Sequence, residues 1–144
     1  SDVRDTEPRL LKEPRGGVSD VTSTLDGIIV SAMRGRGDGL AADAERASGF
    51  RYGHEDWLTQ FKREGAGIAL LDPVALTRAG ADWNEFNDAV GDATWILHDS
   101  LMDLPGFAEI GLKPKALFDT EIAARLLGLH RFGLAAVTEH YLGI

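Results

Sequence analysis

Two acidic residues stand two positions apart in the sequence, a spacing that allows paired-carboxylate chemistry. They are Asp43 and Glu45, in the stretch 40–45 that reads LAADAE. Because side chains alternate between the two faces of a strand, this spacing directs both carboxylates to the same face if the stretch is a strand. Neighbouring carboxylates repel, and a divalent cation such as Mg²⁺ or Mn²⁺, which prefers oxygen ligands, removes that repulsion. The pair is a candidate metal site, although two solvated acids at a strand end have the same spacing.

Two further aspartates lie where strands lead into helices. Asp103 stands in the first turn of a predicted helix that follows the compact apolar run 94–98, TWILH. Ligand sites of α/β proteins are common at such junctions, but an acid there also compensates the helix dipole. Asp119 follows the short apolar piece at 117–118, and here the structural interpretation is favoured: Asp119 or Thr120 caps the next helix.

Composition narrows the classes of function. The 144 residues fit one domain, and 15 Lys+Arg against 23 Asp+Glu give a net charge of −8, which argues against a basic surface of the histone kind. Nucleic acid stays possible, because an acidic site that holds divalent cations still binds phosphates. The absence of cysteine excludes disulfides and thiolate zinc sites. No P-loop or Gly-x-Ser-x-Gly motif occurs, and no metal-ligand spacing links the four histidines, which are His54, His98, His130 and His140.

Periodicity predicts alternating strands and helices. Strands are expected at about 40–45, 56–62, 67–72, 94–98 and 117–118, with an antiparallel hairpin joining the second and third. Helices are expected at about 22–34, 83–90, 101–110, 121–128 and 133–142. Pro105 is expected in the first turn of its helix. Leu101, Leu104 and Phe107 mark the helix at 101–110. Inward apolar residues are expected on the last two helices, among them Ile122, Leu126, Leu127, Leu134, Val137 and Tyr141 or Leu142.

This order predicts an α/β fold with a mixed β-sheet flanked by helices. Residues 1–20 are polar, with two prolines and a glycine pair, and are expected to form an extended or disordered arm. No apolar stretch approaches the roughly 18–20 residues that span a bilayer, and the N-terminus has no apolar core of a signal peptide. A cytoplasmic protein without a membrane partner is expected, with a monomer as the default.

The motifs taken together resemble ribonuclease D, a family of 3′–5′ exoribonucleases in the DEDD superfamily. The resemblance rests on DAE at 43–45, GIALLDP at 67–73, LH at 97–98 followed by DL at 103–104, and FDT at 118–120 with AARLLG at 123–128. The run DAERASGFRY at 43–52 resembles the actinobacterial members. The order and spacing of these motifs cover residues 20–144, so that residues 21–144 are expected to be the N-terminal part of an exonuclease domain.

The resemblance implies a ribonuclease H-like fold and two divalent metal ions, Mg²⁺ or Mn²⁺, which hydrolyse the terminal phosphodiester at a single-stranded RNA 3′ end and release 5′-mononucleotides. Asp43 is expected to bridge both metals, which lie about 3.5–4 Å apart in such sites. Glu45 is expected to hold the metal on the side of the nucleophile, and Asp103 the other metal.

The family's third motif, a Tyr followed four residues later by Asp, does not occur in these 144 residues, since Tyr141 is followed by LGI. The sequence is therefore expected to be a fragment that is inactive alone. Basic or imidazole side chains near the motifs are candidates for contacts with RNA, namely Arg46, Arg51, Lys62, Arg63 and His98.

Two alternatives remain open at this point. The first is a nucleic-acid-binding domain that keeps the fold without competent metals. The second is a DNA 3′–5′ exonuclease of the same superfamily, because a metal site does not distinguish RNA from DNA and no residue here identifies a contact with the 2′-hydroxyl.

Overall fold

The fold alternates strands and helices, as the sequence predicts. The computed structural model describes residues 21–22, 27–34, 38–46 and 57–144; the predicted arm at 1–20 and Arg51 lie outside them. The strands are β1 (Val21–Thr22), β2 (Gly39–Arg46), β3 (Trp57–Arg63), β4 (Ala69–Leu71), β5 (Thr94–Leu97) and β6 (Ala116–Asp119). The helices are α1 (Gly27–Met33), α2 (Pro73–Arg78), α3 (Trp83–Val90), α4 (Ser100–Ile110), α5 (Thr120–Leu126) and α6 (Leu134–Leu142).

The strands form one mixed sheet in the order β1-β4-β3-β2-β5-β6. Strand β3 is antiparallel to both of its neighbours, so the predicted hairpin between β3 and β4 is confirmed. Strands β2, β5 and β6 run parallel to one another, and their carboxyl ends therefore lie at the same edge of the sheet. A mixed sheet flanked by helices is the predicted fold class.

One face of the sheet carries the hydrophobic core. Leu40 and Trp95 on this face are almost fully buried, and Phe61 lies at the centre of an aromatic cluster. The ring of Phe61 lies 4.8 Å from that of Phe86, 5.5 Å from that of Trp95 and 6.0 Å from that of Phe107. These contacts attach α3 and α4 to the same face of the sheet, since Phe86 belongs to α3 and Phe107 to α4.

Arg63, at the end of β3, is buried beneath this face and serves the carboxyl ends of two helices. Its Nη1 donates to the carbonyl of Met33 at 2.6 Å and to that of Val90 at 3.2 Å, with a longer contact to Ala89 at 3.5 Å. The last carbonyls of a helix have no partner within the helix and carry partial negative charge, so a buried guanidinium stabilises both ends. The prediction that Arg63 contacts RNA is therefore wrong, because its 7% exposed side chain is committed to helices α1 and α3.

Two predictions about the helices differ from the structure. Val21–Thr22 pairs in parallel with β4, so the first helix begins at Gly27 rather than near 22. Pro105 is the sixth residue of α4 rather than a first-turn residue. It removes one backbone hydrogen bond, to the carbonyl of Leu101, and the helix continues to Gly111, whose positive φ of 93° ends it.

Several residues predicted to point inward are exposed. Helices α1 to α4 share one face of the sheet with its core, and within the described residues the apolar stripes of α5 and α6 have little against them. On α5 the buried residue is Ala124, which is not among the residues predicted to point inward. The exposed residues are Ile122, Leu126, Leu127, Leu134, Tyr141 and Leu142.

The longest helix in the described ranges, α4, has 11 residues. None of the helices described is long and apolar enough to span a bilayer.

We expect Arg63→Met to lower the free energy of unfolding by about 3 kcal/mol, because it leaves buried carbonyls at two helix ends without their donor. Urea denaturation at pH 7 measures the loss. Arg34→Met is the matched control, since Arg34 is an exposed arginine beside the end of α1, and it should change stability by no more than about 0.5 kcal/mol. Equal losses for the two variants would contradict the capping role of Arg63.

Candidate functional site

Asp43 and Glu45 lie side by side on an exposed face of β2. Both side chains are exposed, whereas Leu40 and Ala42, which alternate with them, are buried. In the register with β3, Asp43 is opposite Gln60 and Glu45 is opposite Leu58. The alternation predicted from their spacing is thus realised, and the two carboxylates share one face, accessible to a cation.

The acidic pair extends beyond the neighbouring parallel strand. The last residue of β2 that pairs with β5 is Ala41, opposite Ile96, so both acids lie past that pair, toward the edge where β5 leads into α4. Ile96 and its partner Phe118 on β6 belong to this same face and are 37% and 52% exposed. The acidic pair therefore adjoins an exposed apolar surface.

Asp103 lies on the first turn of α4, and this helix contacts β2. Its side chain is partly buried, on a helical stripe that also includes the buried Ser100 and Phe107. Phe107 packs on the core face of the sheet, so α4 lies on the face opposite to Asp43 and Glu45. Consistent with that, the described residues contain no group of three acidic or histidine side chains close enough to hold one metal ion.

The carboxylate of Asp119 holds the first turns of two helices. As the N-cap of α5, its Oδ1 accepts hydrogen bonds from the N–H groups of Glu121 at 2.8 Å and Ile122 at 3.3 Å. The same oxygen accepts from the N–H of Asp99 at 3.1 Å. Its Oδ2 accepts from both the N–H and the hydroxyl of Ser100, each at 2.7 Å. One side chain thus satisfies donors at the beginning of α4 and of α5.

These bonds stabilise the charged form of Asp119. Partial burial alone would raise the pKa of this carboxyl, but the hydrogen bonds from Ser100, Ile122 and Asp99 outweigh it and lower the pKa from its ordinary 3.8 to about 2. The sequence predicted a cap by Asp119 or Thr120. It gave no signal for the second helix, because Ser100 is 19 residues away along the chain.

The turn between β5 and α4 has an unusual backbone that Asp119 supports. Asp99 adopts the left-handed conformation with a φ of 61°, which no other non-glycine residue of the described segments does. Aspartate tolerates this region better than most residues. The side chain of Asp99 makes no capping bond to α4 although it occupies the N-cap position, so the cap comes from Asp119 on the adjacent strand.

His98 belongs to the same junction. Its Nδ1 lies 2.8 Å from the hydroxyl oxygen of Thr120, and that hydroxyl donates to the carbonyl of Leu97 at 3.2 Å. Its Nε2 is shielded from solvent and has no partner in the described part of the chain. As the structure stands, the His98 ring links two strand ends rather than presenting a nitrogen at the surface.

Lys62 and Arg46 are the remaining candidates for RNA contact within the described residues. Lys62 is partly buried, and its Nζ donates to the carbonyl of Ala66 at 2.6 Å. Arg46 is the last residue of β2, one position beyond Glu45, and the structure describes its backbone only.

Comparisons with known proteins identify the family and support the fold. Residues 29–144 match the family model described as a 3′–5′ exonuclease. The chain belongs to this family. Its resemblance to ribonuclease D is confirmed by a curated ribonuclease D from Shewanella sp. (strain ANA-3), which is 38% identical over 82 residues, 56% of this chain and 21% of the relative.

Two solved structures share the fold of this exonuclease chain. A protein from Bifidobacterium adolescentis is 70% identical with a TM-score of 0.82, and the match covers 94% of this chain and 33% of that one. Escherichia coli RNase D, described as an exoribonuclease involved in structured RNA processing, is 27% identical with a TM-score of 0.68 and covers 87% of this chain and 33% of its own. The chain thus spans about a third of these solved chains.

We expect Asp119→Asn to lower the free energy of unfolding at pH 7 by about 1–2 kcal/mol, because five hydrogen bonds lose their charged acceptor. Because the folded-state pKa is the lower one, this stabilisation is complete above about pH 4 and is lost as the pH falls through about 2. Urea denaturation of both proteins across this range should show the difference narrowing below about pH 4.

Asp82→Asn is the matched control, since Asp82 caps α3 through a single bond to the N–H of Asn84. Asparagine caps a helix about as well as aspartate does, so this variant should lose no more than about 0.5 kcal/mol. A stability difference for Asp119→Asn that stays constant down to pH 2 would contradict the assignment to its charge.

Proposed function

We propose that this chain is the N-terminal part of a metal-dependent 3′–5′ exoribonuclease that trims single-stranded RNA 3′ ends to 5′-mononucleotides in RNA or tRNA processing. The family match supports hydrolysis at a 3′ end. The preference for RNA is supported by the two relatives that carry the name of ribonuclease D.

The observation that carries this proposal is the pair Asp43 and Glu45. Two exposed carboxylates on one face of a central strand, at the edge where parallel strands end, provide hard oxygen ligands in the position where α/β folds bind ligands. Two acids that are only solvated could stand anywhere on the surface, whereas this pair lies beside the carboxyl ends of two parallel strands.

The donor set fits a divalent cation in part. Asp43 and Glu45 fit by chemistry and by their shared face, and Asp103, on the first turn of a helix that contacts the same strand, is proposed as a third ligand. The three are not close enough in the described residues to enclose one ion. Two such ions, Mg²⁺ or Mn²⁺, supply an activated water and neutralise the charge that develops on the scissile phosphate.

Basic side chains after the acidic pair are proposed to hold the RNA backbone. Arg46 and Arg51 follow Glu45 in the sequence, and a chain with a net charge of −8 gains little non-specific attraction for RNA elsewhere. His98 was predicted to contact RNA as well. For that contact its ring would have to leave Thr120, so we place it last among the three.

A non-catalytic nucleic-acid-binding domain is the second candidate function. The observation that favours it is the lack of a three-ligand group among the described residues. Degradation of matched RNA and DNA 3′ ends with Mg²⁺ or Mn²⁺, by a longer polypeptide that includes this chain and the third motif, tests both this candidate and a DNA exonuclease.

We expect residues 1–144 alone to release no mononucleotides from single-stranded RNA in Mg²⁺, because the water-positioning Tyr and one metal ligand of the third motif are absent. Chromatography of the products measures release. Asp43→Asn, prepared in parallel, reveals any contaminating nuclease. Trimming that depends on Mg²⁺ and disappears in Asp43→Asn would refute the predicted inactivity.

We expect Asp43→Asn to abolish hydrolysis in the longer polypeptide, because a neutral amide is a much weaker ligand for a divalent cation than a carboxylate is. In the 144-residue chain the same substitution should change the free energy of unfolding by no more than about 1 kcal/mol. Calorimetry should show Mg²⁺ binding only in the millimolar range for the unmodified chain and none for the variant.

The matched control is Asp88→Asn, an exposed aspartate on α3, which should leave both hydrolysis and Mg²⁺ binding unchanged. If Asp43→Asn melts several degrees lower and the longer polypeptide still degrades RNA, Asp43 is a structural residue. Micromolar binding of two Mg²⁺ ions by residues 1–144 would also contradict the incomplete site.

A further inference from the structure

We propose that Asp119 is a positioning residue for the site, which sets the place of Asp103 by holding the first turn of α4 from the neighbouring strand. This inference rests on the proposed function, which makes Asp103 a metal ligand. It assigns to Asp119 a task beyond the capping of its own helix.

The hydrogen bonds that Asp119 accepts from Ser100 are at least as short as those it accepts from its own helix, α5. Both bonds from Ser100 to Oδ2 measure 2.7 Å, whereas the bonds from α5 to Oδ1 measure 2.8 and 3.3 Å. Ser100 is 6% exposed, so its hydroxyl has little access to water as a substitute partner. A residue that served only α5 would need a single oxygen and no reach across the sheet.

The geometry of α4 transmits this constraint to Asp103. Ser100 and Asp103 are three positions apart, so they occupy the same side of the helix about one turn from each other. Four residues further along, Phe107 is fully buried between Phe61 and Trp95 and fixes the middle of the helix. With Phe107 fixed, the remaining freedom of the first turn is a tilt, which the bonds to Asp119 prevent.

A second bond joins the same two junctions. The hydroxyl of Thr120 donates to the carbonyl of Leu97 at 3.2 Å, and Nδ1 of His98 lies 2.8 Å from the same hydroxyl oxygen. Strand β5 is thus tied to the beginning of α5, while Asp119 ties β6 to the beginning of α4. Together, the two contacts restrict relative movement of the β5–α4 and β6–α5 junctions more than either contact does alone.

Asp119→Ser separates the two tasks. Serine is a good N-cap, so α5 keeps its cap, but its side chain is one bond too short to reach Ser100 as well. Asp72→Ser is the matched control, because Asp72 caps α2 through the N–H of Ala75 at 2.9 Å and α2 carries no residue of the proposed site. The two variants make the same chemical change at two helix starts.

Two measurements on the 144-residue chain give the readout. Residual dipolar couplings report the orientation of the α4 amides, and Mn²⁺ titration followed by electron paramagnetic resonance reports metal affinity without any activity. For Asp119→Ser we expect altered couplings in the first turn of α4 and Mn²⁺ affinity lowered about tenfold, as for other residues that orient metal ligands. Asp72→Ser should leave both unchanged.

Ser100→Ala is the second variant, which keeps the backbone bond to Asp119 and removes only the hydroxyl bond, so the fold is less at risk. It should lower Mn²⁺ affinity in the same direction but less, by about threefold. Unchanged Mn²⁺ affinity in this variant, should Asp119→Ser fail to fold, overturns the proposal.

Unchanged dipolar couplings of α4 in Asp119→Ser overturn the proposal. Altered couplings together with a Mn²⁺ affinity equal to that of Asp72→Ser also overturn it, because Asp119 is then a structural cap only. Failure of the proposed function is recognised separately. If the Asp43→Asn variant binds Mn²⁺ as tightly as the unmodified chain does, the proposed metal site is wrong, and the positioning role of Asp119 is wrong with it.

Discussion

The five hydrogen bonds to the carboxylate of Asp119 hold the carboxyl edge of the sheet together. Strands β5 and β6 end side by side, and each leads at once into a helix whose first N–H groups have no partner within the helix. One anion between the two helix starts satisfies both, at the ends where the helix dipoles are positive. The path of the chain from β5 into α4, and with it the place of Asp103, depends on this arrangement.

Arg63 does at the carboxyl ends of two helices what Asp119 does at the amino ends of two others. Its guanidinium donates to the last carbonyls of α1 and α3, where the dipoles are negative. A buried cation with these partners explains why this basic residue is unavailable to a nucleic acid. Both charged residues act on pairs of helices, so each one constrains two elements that are far apart in sequence.

The two faces of the sheet have different roles. One face is covered by α1 to α4 and packed around Phe61, and it supplies the rigidity of the central strand β2. The other face carries Asp43 and Glu45 beside the exposed side chains of Ile96 and Phe118. The proposed chemistry therefore lies on the face opposite to the aromatic core that the described helices cover.

The sequence by itself determined most of the order of the elements from β2 onward, the hairpin, and the shared face of Asp43 and Glu45, because alternation along a strand and the 3.6-residue period of a helix depend only on local geometry. Its family resemblance also indicated the exonuclease. Only the tertiary structure decided that Arg63 is buried, that Asp119 caps a helix beginning 19 residues earlier, and that the stripe of α5 is exposed. A periodic pattern shows which way a side chain points from its own element. Which other element meets it there is decided by how distant segments pack, and that information is not local.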